Sequence, residues 1–236
     1  MQMRVAMISG AGRGLGAAIA ERLLADGWSV SLGMRDPAKA PADLDAGTQD
    51  RVLCCRFDSA DTATAQSWVD QTVAHFGRID ALINNAGILR MVDFEQGSEE
   101  DLDDLWSVNV KAPFRLIRAA LPHLKQTGQG RVVNIASTDA KRFRDGTSVG
   151  YAMTKHALLA MTQAVRFAGW DDGVRATAMC PGAIDTDLIG NAPAATPKAD
   201  RLQPETVAGM VAFVLSLPNQ ASVPELISNT RLESFI

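Results

Sequence analysis

No apolar run in this sequence approaches the roughly 18–20 residues needed to cross a bilayer. The opening stretch Met-Gln-Met-Arg-Val-Ala-Met carries neither the hydrophobic region nor the small-residue cleavage site of a secretory signal, so a cytoplasmic protein with no membrane partner is expected. Basic residues are not in excess: 23 Lys and Arg face 27 Asp and Glu, a formal net charge of −4. Such a chain offers no field for a polyanion, and no nucleic-acid partner is expected. Cysteine is scarce, and Cys54, Cys55 and Cys180 form an odd set without metal-ligand spacing. They read as reduced core thiols, and no metal site is expected. Tyrosine is scarcer still, since Tyr151 is the single one in the chain. Any chemistry that needs a phenol has one candidate.

What is present suits a buried core. Apolar residues make up 47% of the chain and charged residues 21%, near the average for globular domains. Short β-branched or apolar runs at Arg4–Ser9, Ser29–Met34, Arg51–Phe57, Ala81–Asn84, Arg131–Ala136 and Arg175–Met179 predict strands. Segments starting near Gly14, Asp61, Glu99, Gly150 and Pro204 carry apolar residues at helical spacing. Strands alternating with helices predict an α/β fold with a doubly wound parallel sheet. A further strand around Glu225–Asn229 brings the total to about seven. No linker separates two cores, so residues 1–236 are expected to form a single domain. The stretch from Gly182 to Arg201 has prolines and alanines but no period. Residues 183–202 are expected to form a lid or substrate loop, a long surface connection being the alternative.

The first strand runs through Ser9, Gly10, Gly12, Arg13, Gly14, Leu15 and Gly16 into an apolar helix. Glycines let backbone turn tightly and approach a pyrophosphate, and the free N–H groups of a helix N-terminus receive the anion. Strand, turn and helix are in register here, so the run reads as a dinucleotide cradle. The second strand ends at Met34-Arg35, where an acidic side chain would hydrogen-bond the ribose 2′-hydroxyl of NAD(H). Arg35 and Arg13 instead favour a phosphate there, hence NADP(H). NAD(H) is the alternative, with Asp36 making the ribose contact.

Tyr151 and Lys155 stand one helical turn apart at the start of a helix-like segment. A phenol titrates near 10, and a fixed ammonium beside it would favour its phenolate. The same pair could be an aromatic packed on an aliphatic stem. Ser137 follows the fifth strand and precedes Tyr151 by a loop, Thr138–Gly150, that would line a pocket.

Taken together these residues resemble the short-chain dehydrogenase/reductase family. The glycine spacing resembles its TGxxxGxG signature with Ser9 in place of Thr, and Ser137, Tyr151 and Lys155 match its Ser and YxxxK pattern. Asn84-Asn85-Ala86-Gly87 is similar to its NNAG motif. The resemblance implies a Rossmann fold and hydride exchange between a nicotinamide cofactor and a small-molecule carbonyl or alcohol. It makes Tyr151 the acid or base, Ser137 the group orienting the carbonyl oxygen, and Lys155 the ribose ligand. Asn109 would hold a water near the lysine. Asp58 would contact the adenine, an Asx turn being its other reading. Asn85, Ala86 and Gly87, with Pro181, Gly182 and Thr186 after the sixth strand, would line the cofactor. Similar proteins are homodimers or homotetramers, built on helices placed here near Leu102–Leu124 and Tyr151–Ala168, with Leu158, Met161, Val165 and Phe167 as candidates. The resemblance runs from Ser9 to Thr186, while Asn219–Ile236 departs from it by containing no glycine. Two other readings remain: a binding protein that senses the cofactor without chemistry, and an epimerase, for which little length is left. Arg90, Met91, Arg142, Phe143 and Arg144 would border the pocket, or be solvated loop residues.

Overall fold

The computed structural model describes residues 3–40, 49–144, 146–190 and 196–232. The chain runs β1 (Val5–Ser9), α1 (Gly14–Ala25), β2 (Ser29–Met34), β3 (Val52–Arg56), α2 (Thr64–Phe76), β4 (Ala81–Asn84), α3 (Glu99–Trp106), a π-helical turn (Ser107–Lys111), α4 (Ala112–Gln126), β5 (Arg131–Ile135), α5 (Val149–Gly169), β6 (Arg175–Pro181), α6 (Pro204–Ser216) and β7 (Glu225–Ser228). The strands make one sheet in the order β3-β2-β1-β4-β5-β6-β7, parallel throughout. Every residue of β1, β2, β4 and β5 is buried, as a parallel sheet covered on both faces requires. Ile19 and Leu23 of α1 with Val207 and Val211 of α6 belong to the core on one face. Trp68 of α2, Leu116 of α4 and Val165 of α5 belong to the core on the other.

The chain winds outward from β1 to β3 and then returns to wind the other way from β4. Crossovers therefore diverge between β1 and β4, which leaves a crevice at the carboxyl ends of those strands. Gly33 shows how tightly the layers meet. A Cβ there would lie 2.5 Å from the Trp68 ring, whose Nε1 donates to Ser31 Oγ at 2.8 Å beneath the sheet.

Boundaries differ from the sequence expectations for local reasons. β6 runs to Pro181, past Met179, because β7 pairs beside it and Gly182 N–H donates to the Ser228 carbonyl at 2.7 Å. α2 starts at Thr64, not Asp61: Asp61 Oδ1 accepts from the Ala63 N–H at 3.1 Å, and its other oxygen from Arg56 at 3.0 Å. The expected seventh strand is present, and the three cysteines form no disulfide among the described residues, with Cys55 and Cys180 buried and Cys54 half-buried. Part of the expected loop, 191–195, and the last residues, 233–236, lie outside the described residues. Among the described residues no helix is long and apolar enough to cross a membrane.

Candidate active site

A cleft of about 830 Å³ opens at the carboxyl ends of the strands and takes in the glycine turn, the end of β2, the ends of β4 and β5, and the start of α5. Two backbone conformations fix the turn: Gly10 has φ +68° and Gly14 φ +56°, a region that side chains disfavour. A Cβ on Gly16 would lie 2.3 Å from the Gly10 carbonyl oxygen, so α1 is seated directly against the turn. No side chain caps α1, and its first turn holds no acid. The free N–H groups and positive end of the helix are thus left beside Gly12, Gly14 and Leu15, which line the cleft.

Ser9 and Gly16 do not line the cleft; they hold it from behind. Ser9 Oγ accepts from the Asn85 and Ala86 N–H groups, both at 3.0 Å, and Asn85 Nδ2 donates to the Ser9 carbonyl at 2.9 Å. Asn84 likewise faces inward, donating to Asn134 Oδ1 at 2.7 Å.

β2 ends at Met34, and exposed Arg35 follows at the cleft rim with Arg13 and Lys39. Lys39 carries no signal in the sequence pattern; the short helical turn Pro37–Lys39 brings it there. Asp36 is engaged locally, accepting from the Ala38 N–H at 3.2 Å with Lys39 3.6 Å away. Arg13 is ion-paired with Asp187, beyond β6. Asp58 fits both of its readings: it lines the cleft, and its Oδ1 accepts from the Ala60 N–H at 3.1 Å in an Asx turn. Pro181, Gly182 and Thr186 border the cleft, and a Cβ on Gly14 would touch Thr186 Cγ2 at 3.3 Å.

Ser137, Tyr151 and Lys155 meet at the other end of the cleft. Ser148 Oγ, itself fixed to the Val92 backbone, accepts from the Tyr151 N–H at 3.1 Å and caps α5. Ser137 and Tyr151 both line the cleft there. Lys155 Nζ lies 5.4 Å from the Tyr151 ring centroid and donates to the Ile135 carbonyl at 2.8 Å. Burial lowers Lys155 to about 8. Tyr151 is held above its ordinary value, first by burial and then by the Asp139 carboxylate, with the nearby Ser137 side chain opposing. The phenol is thus raised where a fixed ammonium alone was expected to depress it, burial being the largest cause.

Asn109 is displaced from the cleft wall. It is 1% exposed within the π-helical turn. Its Oδ1 accepts from the Ile88 N–H at 2.9 Å, and its Nδ2 donates to the Ile88 carbonyl at 3.0 Å and to Thr154 Oγ1 at 3.2 Å. Thr154 in turn donates to the Tyr151 carbonyl at 2.8 Å, so Asn109 ties the segment after β4 to the helix bearing Tyr151. Ser148 had a legible signal, a cap residue three before Tyr151; Thr154 had none. Of the suggested border residues Met91 and Arg144 line the cleft, Arg90 is ion-paired with Asp101 at 3.5 Å and Asp104 at 3.8 Å, and Phe143 is exposed.

A single cleft with a helix N-terminus at one end and a serine, tyrosine and lysine at the other defines a class of nucleotide-dependent α/β proteins. The family model described as short chain dehydrogenase matches residues 4–196, and the chain belongs to that family. The agropine synthesis reductase of Rhizobium rhizogenes is 41% identical over 227 residues, covering 94% of this chain and 51% of that protein. The chain thus spans about half the length of this curated relative. The solved alcohol dehydrogenase of the archaeon Thermococcus sibiricus, complexed with 5-hydroxy-NADP, is 30% identical with a TM-score of 0.88, covering 98% of this chain and 99% of that one. A gluconate 5-dehydrogenase from Burkholderia cenocepacia, in complex with NADP and tartrate, is 26% identical with a TM-score of 0.85, covering 98% and 95%.

Proposed function

We propose that the chain is an NADP(H)-dependent oxidoreductase that interconverts a carbonyl and an alcohol, with Tyr151 exchanging the proton. The observation that carries this reading is the continuity of one cleft from the glycine turn to the Ser137, Tyr151 and Lys155 group. The turn fits a dinucleotide: added Cβ atoms would close it at Gly10 and Gly16, and the uncapped start of α1 suits a pyrophosphate. Arg13, Arg35 and Lys39 suit a ribose 2′-phosphate, and the local bonds of Asp36 weigh against NAD(H). The NADP-type ligands named for both solved neighbours support the same choice.

When bound, the nicotinamide supplies or accepts the hydride. Ser137 Oγ donates to the substrate oxygen and fixes it beside the phenol. Tyr151 Oη delivers its proton to that oxygen in reduction and takes it back in oxidation. Lys155 holds the cofactor ribose, and Asn109 positions α5 through Thr154. A phenol held above its ordinary value keeps its proton at neutral pH, the form that donates in reduction, and a relative is named a reductase.

Residues 183–202 form the substrate loop in this reading. Its ends are pinned by the Asp185 N–H to Leu202 carbonyl and Leu202 N–H to Ala183 carbonyl bonds, both 2.8 Å. A homo-oligomer is also proposed, on exposed Phe114 of α4 and Phe167 of α5; Leu158 and Val165, suggested for that role, are buried in the core instead. The test is to mix the protein with NADPH and a panel of ketones and aldehydes and follow absorbance of the reduced cofactor. Carbonyl-dependent oxidation is expected; stabilisation by NADPH without turnover on any carbonyl would favour a sensing role.

A further inference from the structure

Asp139 lines the same cleft as Ser137 and Tyr151, in the short helical turn Thr138–Ala140 that follows Ser137, and the mechanism above gives its carboxylate no task. Its placement is fixed from two sides. The Asp139 N–H donates to Ser137 Oγ at 3.0 Å. The Arg142 guanidinium donates to Asp139 Oδ1 and, through its other terminal nitrogen, to Thr138 Oγ1 at 3.1 Å. The Arg142 side chain is 7% exposed and that of Asp139 19%, so the pair is largely withdrawn from water, a costly arrangement for a loop that only has to turn. Asp139 Oδ2 has no hydrogen bond among the described residues, and the side chain keeps 19% of its exposure, so this oxygen is free to accept from a donor that enters the cleft. The carboxylate is near enough to the reacting group to raise both Tyr151 and Lys155.

We propose that Asp139 is a specificity-determining residue that accepts a hydrogen bond from a substrate hydroxyl one or two carbons from the reacting carbonyl, so that hydroxylated carbonyl compounds are preferred over plain ones. The distance sets the position. Two residues of a 3-10 turn span about 4 Å, the reach from a carbonyl oxygen at Ser137 to a hydroxyl on a neighbouring carbon. Charge sets the donor: Arg142 already balances Asp139, so a neutral hydroxyl fits where an ammonium would add a second cation. A site built to receive such a donor discriminates strongly against an analogue that lacks it.

This assignment rests on the oxidoreductase reading, and three matched ketones separate the two. NADPH-dependent reduction of acetoin, butanone and aminoacetone is measured for the wild-type protein, Asp139→Ala and Asp139→Asn. The wild type is expected to favour acetoin over butanone in kcat/KM by about tenfold or more, with aminoacetone below acetoin. Asp139→Ala should bring the acetoin-to-butanone ratio to within about twofold of one. Asp139→Asn, which keeps a partner for Arg142 and decides the matter if the alanine variant does not fold, should lower the ratio by about fivefold. The ratio is the readout because a merely structural loss lowers both ketones alike. An unchanged ratio in the folded variants, a wild type that favours butanone or aminoacetone, or no reduction of any of the three overturns the assignment. Turnover on other carbonyls would then leave the oxidoreductase reading standing, and its absence on a wide panel would remove that as well.

Discussion

Burial lowers the Lys155 ammonium to about 8, with the nearby Cys180 and Asp139 pulling the other way. The sign follows directly: the ammonium is present below that value and is lost as pH rises through it. NADPH affinity, read by fluorescence titration between pH 6.5 and 9.5, is therefore expected to weaken above about 8. In Lys155→Met affinity should be lower and flat across the range. A wild-type affinity with no alkaline break would remove the ammonium from cofactor binding. The same lowering penalises the folded state wherever the ammonium must stay charged, so the penalty is fully present below about 8 and disappears as pH rises toward the ordinary lysine value near 10.5. Tyr151, Lys155 and Ser137 were legible in the sequence because a single tyrosine, a four-residue helical spacing and a strand end identify them locally. Asp139, Lys39 and Thr154 were not, because their meaning comes from partners or surroundings that the fold brings near: Arg142 and the cleft for Asp139, the end of β2 for Lys39, and Asn109 for Thr154.

The π-helical turn at Ser107–Lys111 joins α3 to α4 where apolar spacing alone predicts one long helix. Period does not reveal it, since an extra residue per turn leaves the buried stripe nearly continuous; the asparagine between two valines was the only local sign. Asn109 meets both backbone groups of Ile88 and the Thr154 hydroxyl. Asn109→Ala leaves those groups unpaired in the interior, a loss of about 1–3 kcal/mol. Thermal unfolding should register that loss, and kcat should fall further than NADPH affinity because the pin on α5 is gone; a variant with wild-type kcat would confine Asn109 to a structural role. At the other end of the cleft, Gly16→Ala places a methyl 2.3 Å from the Gly10 carbonyl and must push α1 away from β1. NADPH affinity is expected to drop by more than about tenfold, with unfolding at lower temperature. Retained affinity would show that α1 can shift without opening the cradle.

Across the whole molecule the reversal of strand order between β1 and β4 gathers the loops into one crevice, and the alternation of strand and helix made that architecture legible from the start. Loop paths were legible only as lengths, so a long connection after β6 could be expected while its contact with the glycine turn, Arg13 to Asp187, could not. Arg13, after β1, and Arg35, after β2, reach the same cleft. Replacing both with alanine is expected to lower the preference for NADPH over NADH by roughly 10–100-fold, as the loss of charge-assisted bonds to a phosphate implies. An unchanged preference would assign cofactor choice to other residues. The most direct test of the whole account is Tyr151→Phe, which removes one oxygen atom and leaves the ring beside Lys155. NADPH affinity by fluorescence titration should stay near the wild-type value while carbonyl-dependent oxidation of the cofactor disappears; wild-type turnover in the folded variant would contradict the central role given to that phenol.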